Sequence, residues 1–256
     1  MPTNILTTES FTIRPIGPMD HALDISEFYC DTIQGEGASI GCPAAFLRLK
    51  HCVLDCDWCD TKHIWKKGLT YSNIELYERM ELPGIDLIKK LREGQHLVIT
   101  GGSPLIQQTR ITEFLKGFIN KFTFLPYVEI ENECVLTLLE QDLPKYVKQW
   151  NNSPKLENSG IARHIRYKPP VIKRMADLTN SWFKFVISSE KDWDEIQREY
   201  IFENLIRKNQ VILMPQGQTK KELEQNRMLV FNLATKHNVR YSTREHIVLF
   251  DNKIGV

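Results

Sequence analysis

The chain has 256 residues, 42% hydrophobic and 25% charged, enough for one large α/β domain or two small ones. Its net charge of +1 gives no global pull toward nucleic acid or a membrane surface, and no apolar run reaches the roughly 20 residues of a membrane span. Six cysteines are too few for a disulfide scaffold, so a reducing cytoplasm is the expected compartment.

Residues 1–20 carry Pro2, Pro15 and Pro18, show no clear period and lack a basic flank before an apolar stretch. They read as an extended arm and not as a secretory signal, with 1–23 set apart from a single domain over 24–256. Residues 24–33 alternate as a strand. Gln34-Gly35-Glu36-Gly37 follows as a tight loop. Two glycines suffice for a hairpin turn, while the polar pair can equally face a ligand. Residues 44–49 form a second strand that carries Arg48. An arginine in an apolar strand needs a carboxylate, from the protein or from a substrate.

Cys52, Cys56 and Cys59 come next, spaced C-x3-C-x2-C. Three thiolates can hold three corners of a [4Fe–4S] cube and leave the fourth iron open to a substrate or cofactor. Structural zinc competes, with His51, Asp60 or His63 as a fourth ligand, and so do inert buried cysteines. Cys30, Cys42 and Cys134 read as packing residues.

Residues 71–94 have a helical period broken at Pro83-Gly84, with Gly94 as the stop. A short strand at 96–100 runs into Gly101-Gly102-Ser103-Pro104, where Ser103 reads as an N-cap and Pro104 as the first residue of a helix reaching 121. Outward backbone N–H groups at such a turn suit a polar group of a cofactor, although a plain βα turn also uses glycines. A strand at 126–131 puts Glu129 and Glu131 on one face. A short helix at 135–140, a strand at 145–151 and Ser153-Pro154-Lys155 follow. The basic stretch from Arg163 to Arg174 reads as a solvated loop. Strands are expected at 181–187 and 211–214. Helices are expected at 190–208, with Trp193, Ile196 and Tyr200 facing the core, and from the capping box Thr219-x-x-Glu222 to His237. Residues 241–250 are expected to close the sheet. This alternation predicts an α/β fold, a partial, open (β/α) barrel with a mostly parallel sheet and crossover helices, which binds its ligands at the strand ends. The cysteine loop, the Gly-Gly turn and Ser153-Pro154-Lys155 all fall at that edge.

The cysteine loop resembles that of the radical S-adenosylmethionine (SAM) enzymes. Ile33-Gln34-Gly35-Glu36-Gly37, Gly41-x-Pro43, Phe46-Leu47-Arg48-Leu49 and Trp58-Cys59-Asp60-Thr61 together resemble the N-terminal block of the 7-carboxy-7-deazaguanine synthase family. The likeness continues through Thr100-Gly101-Gly102-x-Pro104-Leu105, Val128-Glu129-Ile130-Glu131, Ser153-Pro154-Lys155-Leu156, Lys184-Phe185-Val186 and Leu213-Met214-Pro215. It implies a radical SAM carbon–nitrogen lyase that converts 6-carboxy-5,6,7,8-tetrahydropterin to 7-carboxy-7-deazaguanine with loss of ammonia, in queuosine-type biosynthesis. It also implies a cytoplasmic homodimer and a flavodoxin- or ferredoxin-type electron donor, with no direct contact to membrane or nucleic acid.

The site residues implied by the resemblance are these. Cys52, Cys56 and Cys59 hold the [4Fe–4S] cluster, whose open iron chelates SAM, and Thr61 ligates Mg2+. Trp58, Cys59, Asp60, Gly102, Ser103, Ser153, Pro154 and Lys155 border SAM. Ile33, Gln34, Gly35, Glu36, Arg48 and Thr100 line the pterin site. Three stretches depart from the family pattern. G-G-E-P reads Gly101-Gly102-Ser103-Pro104, so a short neutral residue replaces the glutamate expected at the SAM amino group; a glutamate restored there should tighten SAM binding. G-C-N-L reads His51-Cys52-Val53-Leu54, and E-T-N-G reads Glu131-Asn132-Glu133-Cys134. Two other classes compete: a radical SAM activating enzyme acting on a partner protein, and a non-catalytic zinc or iron–sulfur module. Metal content, roughly four irons or one zinc per chain, separates the zinc module from the iron–sulfur readings.

Overall fold

The strands carry a period of two that sorts apolar from functional residues. In 43–49, Ala45, Leu47 and Leu49 join the main core, while Ala44, Phe46 and Arg48 face the other way. The same split puts Leu97 and Ile99 outward from Val98 and Thr100, Val128 and Ile130 from Glu129 and Glu131, and Phe183, Phe185 and Ile187 from Lys184 and Val186. One face of the sheet therefore packs under helices, and the other carries the buried charges of the strands, Glu129 and Lys184. Each fully buried Phe or Leu on the packed face contributes about 2–3 kcal/mol.

This computed structural model describes residues 1–6, 21–62, 66–251 and 253. Most of the expected arm, 7–20, and the candidate zinc ligand His63 lie outside the described residues. Among the described residues ten strands form one sheet: β1 (Thr3–Asn4), β2 (Ala22–Ile33), β3 (Pro43–Leu49), β4 (Leu69–Ser72), β5 (His96–Gly101), β6 (Tyr127–Asn132), β7 (Gln149–Asn152), β8 (Ser181–Ile187), β9 (Val211–Pro215) and β10 (Arg240–Tyr241). Their order is β1-β2-β3-β5-β6-β7-β8-β9-β10, with β4 also against β2. Strand β2 pairs antiparallel with β1, β3 and β4, and every pair from β3 through β10 is parallel. This is the open, mostly parallel α/β sheet expected, with crossover helices between its strands. The first residues are more than a loose arm, since Thr3 and Asn4 pair with Cys30 and Tyr29 and Ile5 is fully buried.

Several local expectations fail, among them the strand expected from 145, since Leu143–Tyr146 is a short helix and β7 begins only at Gln149. Leu69–Ser72 extends as a strand against β2, so the first helix starts only at Asn73, capped by the Ser72 hydroxyl. Residues 135–140 are not helical; the Gln108 side chain accepts from the Leu139 and Glu140 N–H groups and donates to the Thr137 carbonyl, supplying bonds a helix would have made internally. The basic stretch is two helices, Arg163–Arg166 and Pro169–Ala176, that bury Ile172, Met175 and Ala176 beneath the charges. Within it Arg166 forms a buried 2.6 Å pair with Glu195. Residues 241–250 add only the end of two-residue β10 to the sheet; Glu245–Phe250 is a helix. The helix expected over 190–208 is an α-helix to Ile196 followed by one π turn, and Trp193, Ile196 and Tyr200 are in the core as read.

Candidate active site

The carboxyl ends of the parallel strands open into one cavity of about 550 Å³. The loop after β3 brings Cys52, Cys56 and Cys59; β5 brings Gly102, β6 Glu131 and Glu133, β7 Ser153 and Lys155, β8 Lys184 and Val186. The segment after β10 adds Arg244 and His246. These six chain segments, distant in sequence, meet here because parallel strands all end at one edge.

Two glycines seat the cysteine loop. A Cβ on Gly101, whose φ is +139°, would lie 2.2 Å from the Leu49 carbonyl oxygen. One on Gly102 would lie 2.1 Å from the His51 carbonyl oxygen and 2.5 Å from Cys52 Cβ. The Gly-Gly turn is thus a close approach of backbones, which only glycine allows. His51 itself turns at φ 70°. Ser103 completes the seat: its N–H donates to the His51 carbonyl, and its hydroxyl accepts from Val53 N–H at 3.1 Å and meets Cys52 Sγ at 3.6 Å. Ser103 is the N-cap residue by backbone position, but its side chain makes no capping bond. Gly102→Ala is expected to lower stability by about 2–3 kcal/mol and to reduce iron uptake, because the clash is with backbone and the loop must move. Thermal unfolding and iron analysis of the same preparation check this; unchanged iron uptake would reject the seating role.

Burial raises the thiols of Cys52 and Cys56, and the Lys155 ammonium opposes that in both. Cys59 Sγ is 3.8 Å from Thr61 Oγ1. Trp58 donates from its indole to the Asn158 carbonyl and lies under the Lys155 ammonium at 5.6 Å. Among the described residues, the one group of His, Cys, Asp or Glu whose ligand atoms lie within 4.8 Å of one another is Glu36, Asp60 and His246, not the cysteines. A tetrahedral zinc, with Zn–S near 2.3 Å, needs sulfurs under about 4 Å apart. The corners of an iron–sulfur cube are wider, and three thiols on one loop at the cavity wall suit that group.

The remaining wall is a charge network. Glu36 is held by Lys184 at 2.8 Å and by Arg244 Nε at 2.8 Å. Lys184 also reaches Glu131 at 3.0 Å, which accepts from Thr100 at 2.8 Å and from the Gln34 amide at 3.3 Å. Arg244 bonds Asp60 and donates to the Gly217 carbonyl. Burial alone would raise the Glu36 carboxyl, but Lys184, Arg244 and His246 outweigh it and hold it well below the usual range. For Asp60 burial is likewise outweighed, here by Arg244, His246 and Arg48. Lys184 stays charged despite burial because Glu131 and Glu36 flank it. Arg48 meets a protein carboxylate, Glu27 at 2.9 Å through Nε, with Nη2 3.4 Å from the Tyr29 hydroxyl. Tyr29 stacks on Phe46 at 5.3 Å, giving the cavity an aromatic floor.

The cavity gathers all the site residues implied by the resemblance except Ser103 and Pro154, which do not line it. Glu129 shares a face with Glu131 but lies below the cavity, fully buried against His96, Gln149 and Asn151. Sequence reasoning missed Glu27, Glu133, Lys184, Arg244 and His246 as site residues. Lys184 carried the signal that exposed Arg48, a charge between apolar neighbours in a strand. Arg244 and His246 carried none. They are placed by the Glu245 N–H bonded to the Gly35 carbonyl and by His246 packing where a Cβ on Gly35 would stand.

No protein-family model matches the chain. The crystal structure of QueE from Escherichia coli superposes with a TM-score of 0.62 at 22% identity, covering 88% of this chain and 95% of that one, which establishes the fold. A 7-carboxy-7-deazaguanine synthase from Halobacterium salinarum is 26% identical across 98% of each chain. Another, from Pyrobaculum aerophilum, is 30% identical over 88% of this chain and 93% of its own length. Matched at that identity along nearly the whole of a relative, the chain belongs to the 7-carboxy-7-deazaguanine synthase family.

Proposed function

We propose that the chain converts 6-carboxy-5,6,7,8-tetrahydropterin to 7-carboxy-7-deazaguanine with loss of ammonia, as a radical SAM lyase, with residues 24–256 acting as one catalytic unit. The observation that carries this reading is the meeting, in one cavity, of the three-cysteine loop and the charged strand face in a member of this family. Cys52, Cys56 and Cys59 would hold the [4Fe–4S] cluster, Ser153, Lys155, Trp58, Asp60 and Gly102 would border SAM, and Thr61 would hold Mg2+. The cluster and SAM together supply one-electron chemistry that removes a hydrogen from an unactivated carbon.

The chain's own residues position and exclude. Gln34 is fixed from both sides, its amide N–H2 at Glu131 and its carbonyl accepting from Glu36 N–H at 3.2 Å, which presents a rigid polar edge to a pterin. Ile33, Gly35 and Thr100 complete that wall. Among the described residues the contacts of Arg48 use Nε and Nη2, leaving Nη1 for the substrate carboxylate. Lys184 and Arg244 keep Glu36 and Asp60 ionised, so these carboxylates accept and do not donate. Arg244 spans the acidic pair, and Lys184 adds a second positive charge at Glu36.

The test is one anaerobic assay with reconstituted enzyme, SAM, Mg2+, a reductant and the tetrahydropterin, read by mass spectrometry. The deazaguanine product is expected. Release of 5′-deoxyadenosine without it would keep the radical chemistry and discard this substrate. A flavodoxin- or ferredoxin-type donor, a homodimer and a cytoplasmic setting complete the proposal; among the described residues no helix is long and apolar enough to cross a membrane.

A further inference from the structure

Among the described residues, one carboxylate in the cavity wall makes no hydrogen bond and no ion pair. Glu133 follows the last residue of β6, lines the cavity beside the cysteine loop and is 5% exposed. Neither of its carboxylate oxygens makes a hydrogen bond. Each of the other cavity carboxylates has a partner: Glu27 has Arg48, Glu36 has Lys184 and Arg244, Asp60 has Arg244, Glu131 has Lys184 and Thr100, and Asp251 has the Lys220 N–H. A buried carboxylate without donors is costly, and a protein keeps one where a ligand brings the donors. Burial raises this carboxyl, only partly offset by its own nearby backbone N–H, the Lys155 ammonium and the nearby Ser103 hydroxyl, none of which forms a hydrogen bond with it.

The ligand chemistry follows from the neighbours. Glu133 offers two acceptors and a negative charge, and Lys155, held by the Ser153 carbonyl at 2.8 Å and hydroxyl at 3.0 Å, puts a positive charge close by. Both border the cysteines, and both influence Cys52. An acid and a base side by side match the two ends of an α-amino acid zwitterion. Ser103 cannot take the acidic part, being fully buried and turned to Val53 N–H and Cys52 Sγ. We infer that Glu133 receives the α-ammonium group of SAM, from the end of β6, while Ser103 seats the cysteine loop. This rests on the SAM-dependent reading proposed above. It reverses one expectation from sequence: Ser103→Glu should loosen SAM binding and not tighten it, because a second carboxylate would enter beside Glu133.

The test measures binding and stability, not turnover. In anaerobic cluster-loaded enzyme, equilibrium dialysis would compare SAM with its analogue lacking the amino group. Glu133→Gln is expected to weaken SAM about 10- to 100-fold and to leave the analogue unchanged, with iron content unaltered. The same variant, without SAM, should unfold at a higher temperature than the parent, since an unpaired buried charge has been removed. A residue that merely props the fold would shift stability the opposite way. Equal loosening of SAM and analogue, unchanged SAM binding, or a lower unfolding temperature would each overturn the assignment. A parent enzyme that carries the cluster but binds no SAM would instead overturn the functional reading on which it rests.

Discussion

Cys56→Ala is expected to remove the bound cluster and to abolish product formation, a loss of more than about 10⁴-fold in turnover. Cys56 is buried, and its thiol is raised by that burial. A neutral thiol there is stable only until a metal takes the sulfur as thiolate, so loading releases protons and should become easier as pH rises. Two remaining cysteines cannot hold a cube whose fourth iron must stay open. Cys30→Ala is the matched comparison. Cys30 is also buried, with its thiol pushed up to about 12, yet it lies on β2 away from the cavity. It should lose about 1 kcal/mol of packing and keep its iron. Iron and sulfide content, with the product read by mass spectrometry, decides the matter. A Cys56→Ala enzyme that retained iron and turnover would remove the cysteine loop from the mechanism.

What could be read in the sequence was set by where the information lies. Strands β3, β5, β6, β8 and β9 were legible because their outward residues alternate with inward ones, and a period of two needs no knowledge of the neighbours. The cysteine loop was legible because its ligands are local. Cys134 falls between: it stands where the family pattern has a glycine, and the turn nevertheless keeps a left-handed backbone, with φ 61°. Its thiol donates to Asn152 Oδ1 at 3.5 Å and accepts from Asn132 Nδ2 at 3.6 Å, side-chain contacts that offset part of the strain of a non-glycine residue there. Ser103 misled because the N-cap rule is local, while Val53 N–H, fifty residues earlier in the chain, claims its hydroxyl. His246 was illegible for the same reason on a larger scale. Glu245–Phe250 has apolar residues that suit either a strand or a helix, and only docking on the Gly35 turn places it at the cavity.

Lys184→Met is expected to cost about 3 kcal/mol of stability at neutral pH. The lysine is 5% exposed and stands between Glu36 and Glu131, at 2.8 and 3.0 Å. Without it two carboxylates face each other with only Arg244 on the far side of Glu36. Removing one partner of a buried pair leaves its charge unpaid by solvent, which is why the cost exceeds that of a surface pair. Lys62→Met, which breaks a 2.7 Å pair with Asp55 in open solvent, should change little. The pH dependence gives the sharper test. Because Glu36 is depressed in the folded parent, its stabilisation is fully present above its unfolded value, near 4.3, and is withdrawn as pH falls below it. The methionine variant loses part of that depression, so it binds protons more readily when folded. The gap between parent and variant should therefore be widest above about pH 5 and should narrow on acidification. Urea unfolding of both proteins at neutral and acid pH measures it. A gap independent of pH would mean that Lys184 acts through packing alone, and that the charge network does not hold the cavity wall in place.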